Sequence, residues 1–346
     1  DERQFKPLLP YLEYNLRVGD SIVQKVGDVN LAMWDKVNVS GRELRNDLQR
    51  LQKAKRDFFE RGSASGFTRE QINGLERAYF RDVLQEREKD IQSEGVKLRR
   101  GDYSDIEKLF NVGDDRSDRE LRKRKEHAKK QIRSLENQRE ELKAVRRTLK
   151  ADKLPFVWHI AFPEAFRKGQ EGFDIVIGNP PYVRQEGIED PLQQTKDDKK
   201  RYKKSAIQAV EAMHRGFFED RHLNPQGVRF DKKSDLYIYF FFLSMRLLAR
   251  SGSFAFIVSD SWLTVDYGMP FQEFSLLNSR IRHIIDNRKK RSFKDADVNT
   301  IIMVLSGSDS STTRNLGNSA RFTLFFTDYS SVHSPVIFEE IDDNTR

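Results

Sequence analysis

Residues 173–182 read F-D-I-V-I-G-N-P-P-Y and constrain the fold more tightly than any other stretch of the chain. Ile175, Val176 and Ile177 form an uninterrupted β-branched run, which predicts a strand buried on both faces of a parallel sheet. The run stops at Gly178 and enters Asn179-Pro180-Pro181-Tyr182. Two successive prolines fix φ and remove two ladder donors, so the tetrapeptide is a stiff loop at the strand's carboxyl end. Open α/β sheets bind their ligands at that end. A rigid loop that holds an amide and an aromatic ring suits a planar heterocycle carrying an amino group. The competing reading is a proline turn whose tyrosine packs on the surface.

The elements around this stretch predict an α/β chain interrupted by a helical block. Residues 15–23, N-L-R-V-G-D-S-I-V, read as a strand running into a tight turn, where Asp20 and Ser21 can cap the next element. From residue 40 a helix is predicted, with Leu44, Leu48, Leu51 and Phe58 on one face. A Gly/Ser break at 62–66 follows. Thr68-Arg69-Glu70-Gln71 then has the form of a capping box opening a helix with Ile72, Leu75, Tyr79 and Val83 on one face. Between 118 and 150, Leu121, Ala128, Leu135, Leu142 and Leu149 recur every seven residues. That spacing predicts a helix roughly 50 Å long, packed through a narrow seam against the earlier ones. Its many acidic residues favour a solvated hairpin over a basic arm on phosphates, although Arg119 to Lys130 is dense in positive charge.

After Tyr182, the Lys-rich stretch 183–204 predicts a loop over the catalytic face, with a helix from 206 to 222. Ser234-Asp235 is placed to cap the apolar helix L-Y-I-Y-F-F-F-L-S-M-R-L-L, which Ser251-Gly252 ends before the strand S-F-A-F-I-V-S. Ile284-Ile285 and 300–305 predict a hairpin of strands. Beyond Ser306 a polar linker leads into a last apolar segment, read as the start of a following region. The domain scheme is therefore 1–24 (first sheet strand), 25–150 (helical insertion), 151–306 (return to the sheet) and 307–346 (linker and start of a following region).

Composition narrows the chemistry. With no cysteine, disulfides, thiolate metal sites and a cysteine nucleophile are excluded, and a cytoplasmic setting fits. No metal ligand set is expected. There is no membrane-length apolar run and no signal-peptide pattern. A net charge of +8 favours a polyanionic partner. The chain begins with Asp rather than Met, which suggests a piece of something longer.

In its context V-I-G-N-P-P-Y-V-R-Q-E, the tetrapeptide resembles motif IV of the DNA amino-methyltransferases. The likeness is to the adenine-specific group of type IIG restriction–modification enzymes and phage-defence methylases. Residues 19–21, G-D-S, resemble motif III of that family. Trp158, Phe162, Pro163 and Glu164 match a W-x-x-x-F-P-E scaffold segment upstream of motif IV. The 234–263 helix–strand pair with S-D-S-W-L resembles motifs V and VI, followed by Tyr267-Gly268. Phe293, in S-F-K-D-A-D-V-N-T, matches the motif VIII aromatic.

The resemblance implies a partial Rossmann-like methyltransferase sheet with an inserted charged helical hairpin. It further implies transfer of a methyl group from S-adenosylmethionine to the amino group of an adenine flipped out of double-stranded DNA. Asn179, Pro180, Pro181 and Tyr182 would be catalytic. Tyr182 and Phe293 would stack on the base, and Asp20, Ser21, Asn179 and Pro181 would border the cofactor. Arg184, Lys199, Lys200 and Arg201, with Lys196, are the candidate phosphate contacts. No general base among the six histidines is required.

Cytosine carries a comparable exocyclic amine; Asn rather than Ser at position 179 leans to adenine. The glycine-rich motif I and the acidic motif II are not seen, and neither F-x-G-x-G nor G-x-G-x-x-G occurs. A motif I region before this chain and a target-recognition domain after it are therefore expected partners. These 346 residues alone are expected to be inactive. A rival of another class is a non-catalytic DNA-binding or scaffold module of a defence complex. Cofactor binding discriminates the two.

Overall fold

A computed structural model describes residues 14–26, 29–31, 42–109, 115–150, 154–167, 170–190, 195–219, 227–287, 299–307 and 318–326. The chain divides into two compact units, Asp1–Pro163 and Glu164–Arg346.

The first unit is built on helices α1 (Arg42–Arg61), α2 (Arg69–Leu109) and α3 (Asp115–Thr148). Local chemistry sets the start of α2. Thr68 N donates to Gln71 Oε1 at 2.9 Å and Gln71 N to Thr68 Oγ1 at 3.2 Å, the reciprocal pair of a capping box. The predicted apolar faces meet in one core of Leu44, Leu51, Phe58, Ile72, Tyr79, Val83 and Leu142, with Leu48, Leu75 and Leu135 packed against it. Ion pairs from Arg146 to Glu88 and from Arg99 to Glu136 show that α2 and α3 run antiparallel. The side chains of Leu121 and of residues 119–125 lie outside those described.

Within the same unit, β1 (Lys25–Val26) and β2 (Val29–Asn30) form a small hairpin, and α4 (Trp158–Ala161) is its last element. The strand expected to lead into the turn at 19–21 is not formed: Leu16 and Val18 are exposed and carry no ladder among the described residues. The expected turn is present and is organised by Asp20, whose Oδ1 accepts Ile22 N at 2.9 Å and Val23 N at 2.8 Å.

The second unit carries the sheet. After a two-residue hairpin of β3 (Phe166–Arg167) and β4 (Gln170–Glu171) come β5 (Phe173–Gly178), β6 (Leu248–Ser259), β7 (Ser279–Asn287), β8 (Thr300–Gly307) and β9 (Arg321–Phe325). Their order is β5-β6-β8-β7-β9. β5 and β6 are parallel, β8 is antiparallel to both β6 and β7, and β9 is parallel to β7. The predicted α/β class and the hairpin pairing of β7 with β8 are both present. β9 extends the sheet with the segment expected to lead away from it.

The parallel step from β5 to β6 is made by helices α5 (Lys196–Met213), α6 (Arg215–Glu219) and α7 (Leu236–Leu247). α7 packs on the sheet through Phe241, whose ring lies 5.3 Å from Phe254 of β6 and edge-on to Phe271, 4.0 Å away. Phe271 belongs to α8 (Met269–Asn278). Gly172 makes the entry to β5: at φ 149° it adopts a conformation L side chains rarely take, and a Cβ there would meet Leu247 O at 2.6 Å.

Three further expectations from the sequence are not met. Among the described residues β5 is parallel but is the edge strand of its sheet, so Ile175 and Ile177 are 70% and 78% exposed rather than buried on both faces. Residues 196–204 are helix rather than loop, because Thr195 caps α5 by accepting from Asp198 N and acidic Asp197 and Asp198 occupy its first turn. Ser251-Gly252 does not end α7; the helix stops at Leu247 and both residues are already in β6. No helix among the described residues is long and apolar enough to cross a membrane.

His214, at the end of α5, gives the fold a pH dependence. Its ring packs against Phe274 and Phe242 and its Nε2 lies 2.7 Å from Phe242 O, which fits a neutral ring donating to the carbonyl. Burial pushes its pKa down from 6.5 to about 4. The unfolded chain takes up a proton below pH 6.5 that the folded chain refuses until about pH 4. Stability is thus complete above pH 6.5 and falls as the pH drops between those values. A proton refused over that range is worth at most about 3 kcal/mol; the residue keeps some solvent contact, so ~1–2 kcal/mol is expected. Urea unfolding of wild type and His214→Gln at pH 7.5 and 5 checks this, with the acid loss absent from the variant.

Candidate active site

Parallel β5 and β6 end side by side, and the 179–182 loop leaves from the carboxyl end of β5. Pro180 is buried, whereas Asn179 and Pro181 are exposed. Among the described residues, neither the Asn179 side chain nor the Pro180 carbonyl has a hydrogen-bond partner. Two neutral acceptors therefore stand without a partner among the described residues on consecutive positions of a loop that cannot easily rearrange. The half-buried Tyr182 donates its hydroxyl to Ile257 O of β6 at 3.0 Å, which fixes its ring at the sheet end. Burial pushes the phenol up to about 12, so it stays neutral.

Tyr182 also forms one wall of a cavity of about 700 Å³ whose other walls include Asp235, Tyr237, Ser259, Ser261 and Tyr267. These side chains are wired together. Tyr267 donates its hydroxyl to Asp235 Oδ2 at 3.0 Å and lies 3.1 Å from Ser261 Oγ. Ser261 Oγ is 2.7 Å from Ser259 Oγ and 3.3 Å from the Tyr237 hydroxyl. Burial raises the phenols of both Tyr237 and Tyr267. Gly268 places Tyr267: a Cβ there would lie 2.0 Å from Trp262 O.

Asp235 departs from its expected role. It stands at the N-cap of α7 in extended conformation, yet its carboxylate accepts no hydrogen bond from that helix's own amides. A side-chain cap is worth about 0.5–2 kcal/mol, and here both oxygens go elsewhere. In the sequence Ser234-Asp235 has the form of a cap and Tyr267-Gly268 that of a motif match. The bond between them is a tertiary fact that neither pattern contains.

The remaining site residues are dispersed over both units. Asp20 and Ser21 lie in the first unit. Asp20 Oδ1 is occupied by the turn, while Oδ2 has no partner among the described residues; Ser21 O accepts the Trp158 indole N–H at 3.1 Å, the scaffold role expected for that tryptophan. Phe293 lies outside the described residues. Of the candidate phosphate contacts, Arg184 is exposed at the cavity and Lys200 is exposed on α5. Lys199 lies 3.7 Å from Glu189 and Arg201 pairs with Asp198, so both are already engaged by carboxylates. The Lys196 side chain is outside those described.

The Eco57I restriction-modification methylase family matches residues 75–293, more than half of the chain and the stretch that holds the 179–182 loop, Asp235 and Tyr267. The chain belongs to that family. A type II methyltransferase, M.BstVI, of Geobacillus stearothermophilus is 32% identical over 123 residues, 36% of this chain and 17% of the relative. The type II methyltransferase M.XhoI of Xanthomonas vasicola is 30% identical over 114 residues, 33% of this chain and 16% of the relative. Both matches thus span less than a fifth of those methylases' length. Among solved structures, a DrdV–DNA complex is similar at a TM-score of 0.31, with 14% identity over 54% of this chain and 17% of that chain.

Proposed function

We propose that this chain carries the methyl-transfer centre of a type IIG or related DNA adenine methyltransferase in a restriction–modification or phage-defence system. The observation that carries the reading is a pair of neutral acceptors without a partner among the described residues, the Asn179 side chain and the Pro180 carbonyl, beside an anchored tyrosine ring. Adenine's 6-amino nitrogen is a poor nucleophile because its lone pair is delocalised into the ring. Accepting both amino hydrogens localises that pair on nitrogen. The two hydrogen bonds strengthen as positive charge builds there, so they favour the transition state over the ground state. Tyr182 would offer a ring face to the extruded base, worth roughly 1–3 kcal/mol, with Phe293 as the second aromatic. Arg184 and Lys200 would reach phosphates on the duplex.

S-adenosylmethionine, when bound, would supply the electrophilic methyl group. The residues present fit one end of it: Asp20 retains Oδ2 as an acceptor for the cofactor's adenine amino group. Ser21, the next residue in the same unit, would border it. A glycine-rich turn for the methionine moiety is not among these residues, and its place would be in a further region of the protein.

Incubating the full-length gene product with DNA and S-adenosylmethionine, then digesting to nucleosides for mass spectrometry, tests the proposal. N6-methyladenine is the expected product; N4-methylcytosine, or no methylated base, overturns it. In the same protein, Asp20→Ala is expected to weaken cofactor binding by about 1–3 kcal/mol, the cost of an unsatisfied buried partner. Asp20→Asn, which keeps an oxygen for the turn, should lose less. Calorimetric titration of S-adenosylmethionine measures both, and unchanged affinity in Asp20→Ala would remove that residue from the cofactor site.

A further inference from the structure

We infer that Asp235 is a positioning residue that clamps the chain just beyond Tyr182 and so holds the 179–182 loop in register with the end of β6. The inference rests on the proposed function for what the loop does, and on geometry alone for how it is held. A helix-capping aspartate ordinarily accepts from the second or third amide of its own helix. Asp235 instead takes Gln185 N on Oδ1 at 3.0 Å and the Tyr267 hydroxyl on Oδ2 at 3.0 Å.

The start of α7 is tied to the same segment by its backbone, Leu236 N donating to Val183 O at 2.9 Å. From the other side Lys203 Nζ of α5 donates to Gln185 O at 3.0 Å. Residues 183–185 are thus held from three directions, two of them charged, and hydrogen bonds to charged groups are the stronger kind. Upstream, the Tyr182 hydroxyl is fixed to Ile257 O of β6. Tyr267 completes the circuit, because it links Asp235 to Ser261 Oγ just past the end of the same strand. The loop between Gly178 and Gln185 therefore has both ends referred to β6. Both carboxylate oxygens of Asp235 bond to Gln185 and Tyr267 rather than to the Asn179 or Pro180 acceptors; it acts through the backbone that carries them.

The test uses the full-length gene product with Asp235→Ala, Asp235→Asn and Tyr267→Phe. Asp235→Ala is expected to lower kcat on the order of 10²-fold, the scale of an ångström-sized misplacement, with KM for DNA and for cofactor changed less than about 3-fold. Asp235→Asn keeps an oxygen for Gln185 N and should recover most of the loss. Tyr267→Phe removes one donor only and should fall between them. Hydrogen–deuterium exchange gives an activity-independent readout: protection of the Gln185 amide should drop in Asp235→Ala and return in Asp235→Asn, with β8 unchanged. Should Asp235→Ala fail to fold, Tyr267→Phe and Asp235→Asn carry the comparison. Unaltered Gln185 protection, or kcat within about 3-fold of wild type in Asp235→Ala, overturns the inference. A wild-type protein that methylates nothing would sink the proposed function, while the exchange data still decide the clamp.

Discussion

Replacing Asn179 by alanine is expected to lower methyl transfer by about 10²–10³-fold, the range seen when one preorganised hydrogen-bonding group is removed from a transition state. The structure explains why the effect should be confined to chemistry. Asn179 is exposed and its side chain has no hydrogen-bond partner among the described residues, so truncating it leaves no group unpaired. The loop keeps its shape through buried Pro180 and through the Tyr182 bond to Ile257 O. DNA affinity and melting temperature should therefore stay close to wild type while single-turnover methylation falls. Normal turnover in the variant would take Asn179 out of the mechanism.

The largest expected effect on stability lies in the helical unit, at Glu76. This carboxylate is buried in α2 and accepts a two-pronged contact from Arg17, Nη2 to Oε1 at 2.6 Å and Nη1 to Oε2 at 3.3 Å. Its Oε1 is also 3.5 Å from Nζ of buried Lys55, which in turn donates to Ala161 O at 2.6 Å. Glu76→Leu removes the carboxylate that two cations share, and breaking a buried pair from one side costs about 3–5 kcal/mol. Glu76→Leu combined with Lys55→Met should return part of that loss, since it removes the more deeply buried of the two cations while Arg17 keeps some solvent contact. By contrast, the more exposed surface pair Arg99–Glu136 should contribute at most ~1 kcal/mol. Urea unfolding of the 346-residue chain with each variant measures the differences. A Glu76→Leu loss below that of an Arg99→Ala variant would mean the buried charges are not coupled.

Several features were legible from sequence because their physics is local. The capping box at Thr68 and Gln71 closes over three residues, and the apolar faces of α1, α2 and α3 follow from helical geometry alone. The stiffness of 179–182 is a property of two prolines, wherever they stand. Other features depended on where distant segments ended up. Ile175 and Ile177 have a buried strand's composition, but exposure is set by sheet order, and β5 lies at an edge. The start of α5 was masked by lysines, whose charge says loop or helix equally, until Thr195 and Asp198 were seen to cap it.

By itself the sequence determined an α/β chain with a charged helical hairpin and a rigid Asn-Pro-Pro-Tyr loop after a strand, since each is written in short-range pattern. Only the tertiary structure decided what holds that loop. Asp235 could have capped its own helix, as its position in the sequence predicts; it bonds instead to Gln185, fifty residues earlier, and to Tyr267, thirty-two residues later. A carboxylate has the same two oxygens in either case. Which donors come within 3.0 Å of them is settled by the packing of α7, β6 and the turn before α8, and no window along the chain contains that information.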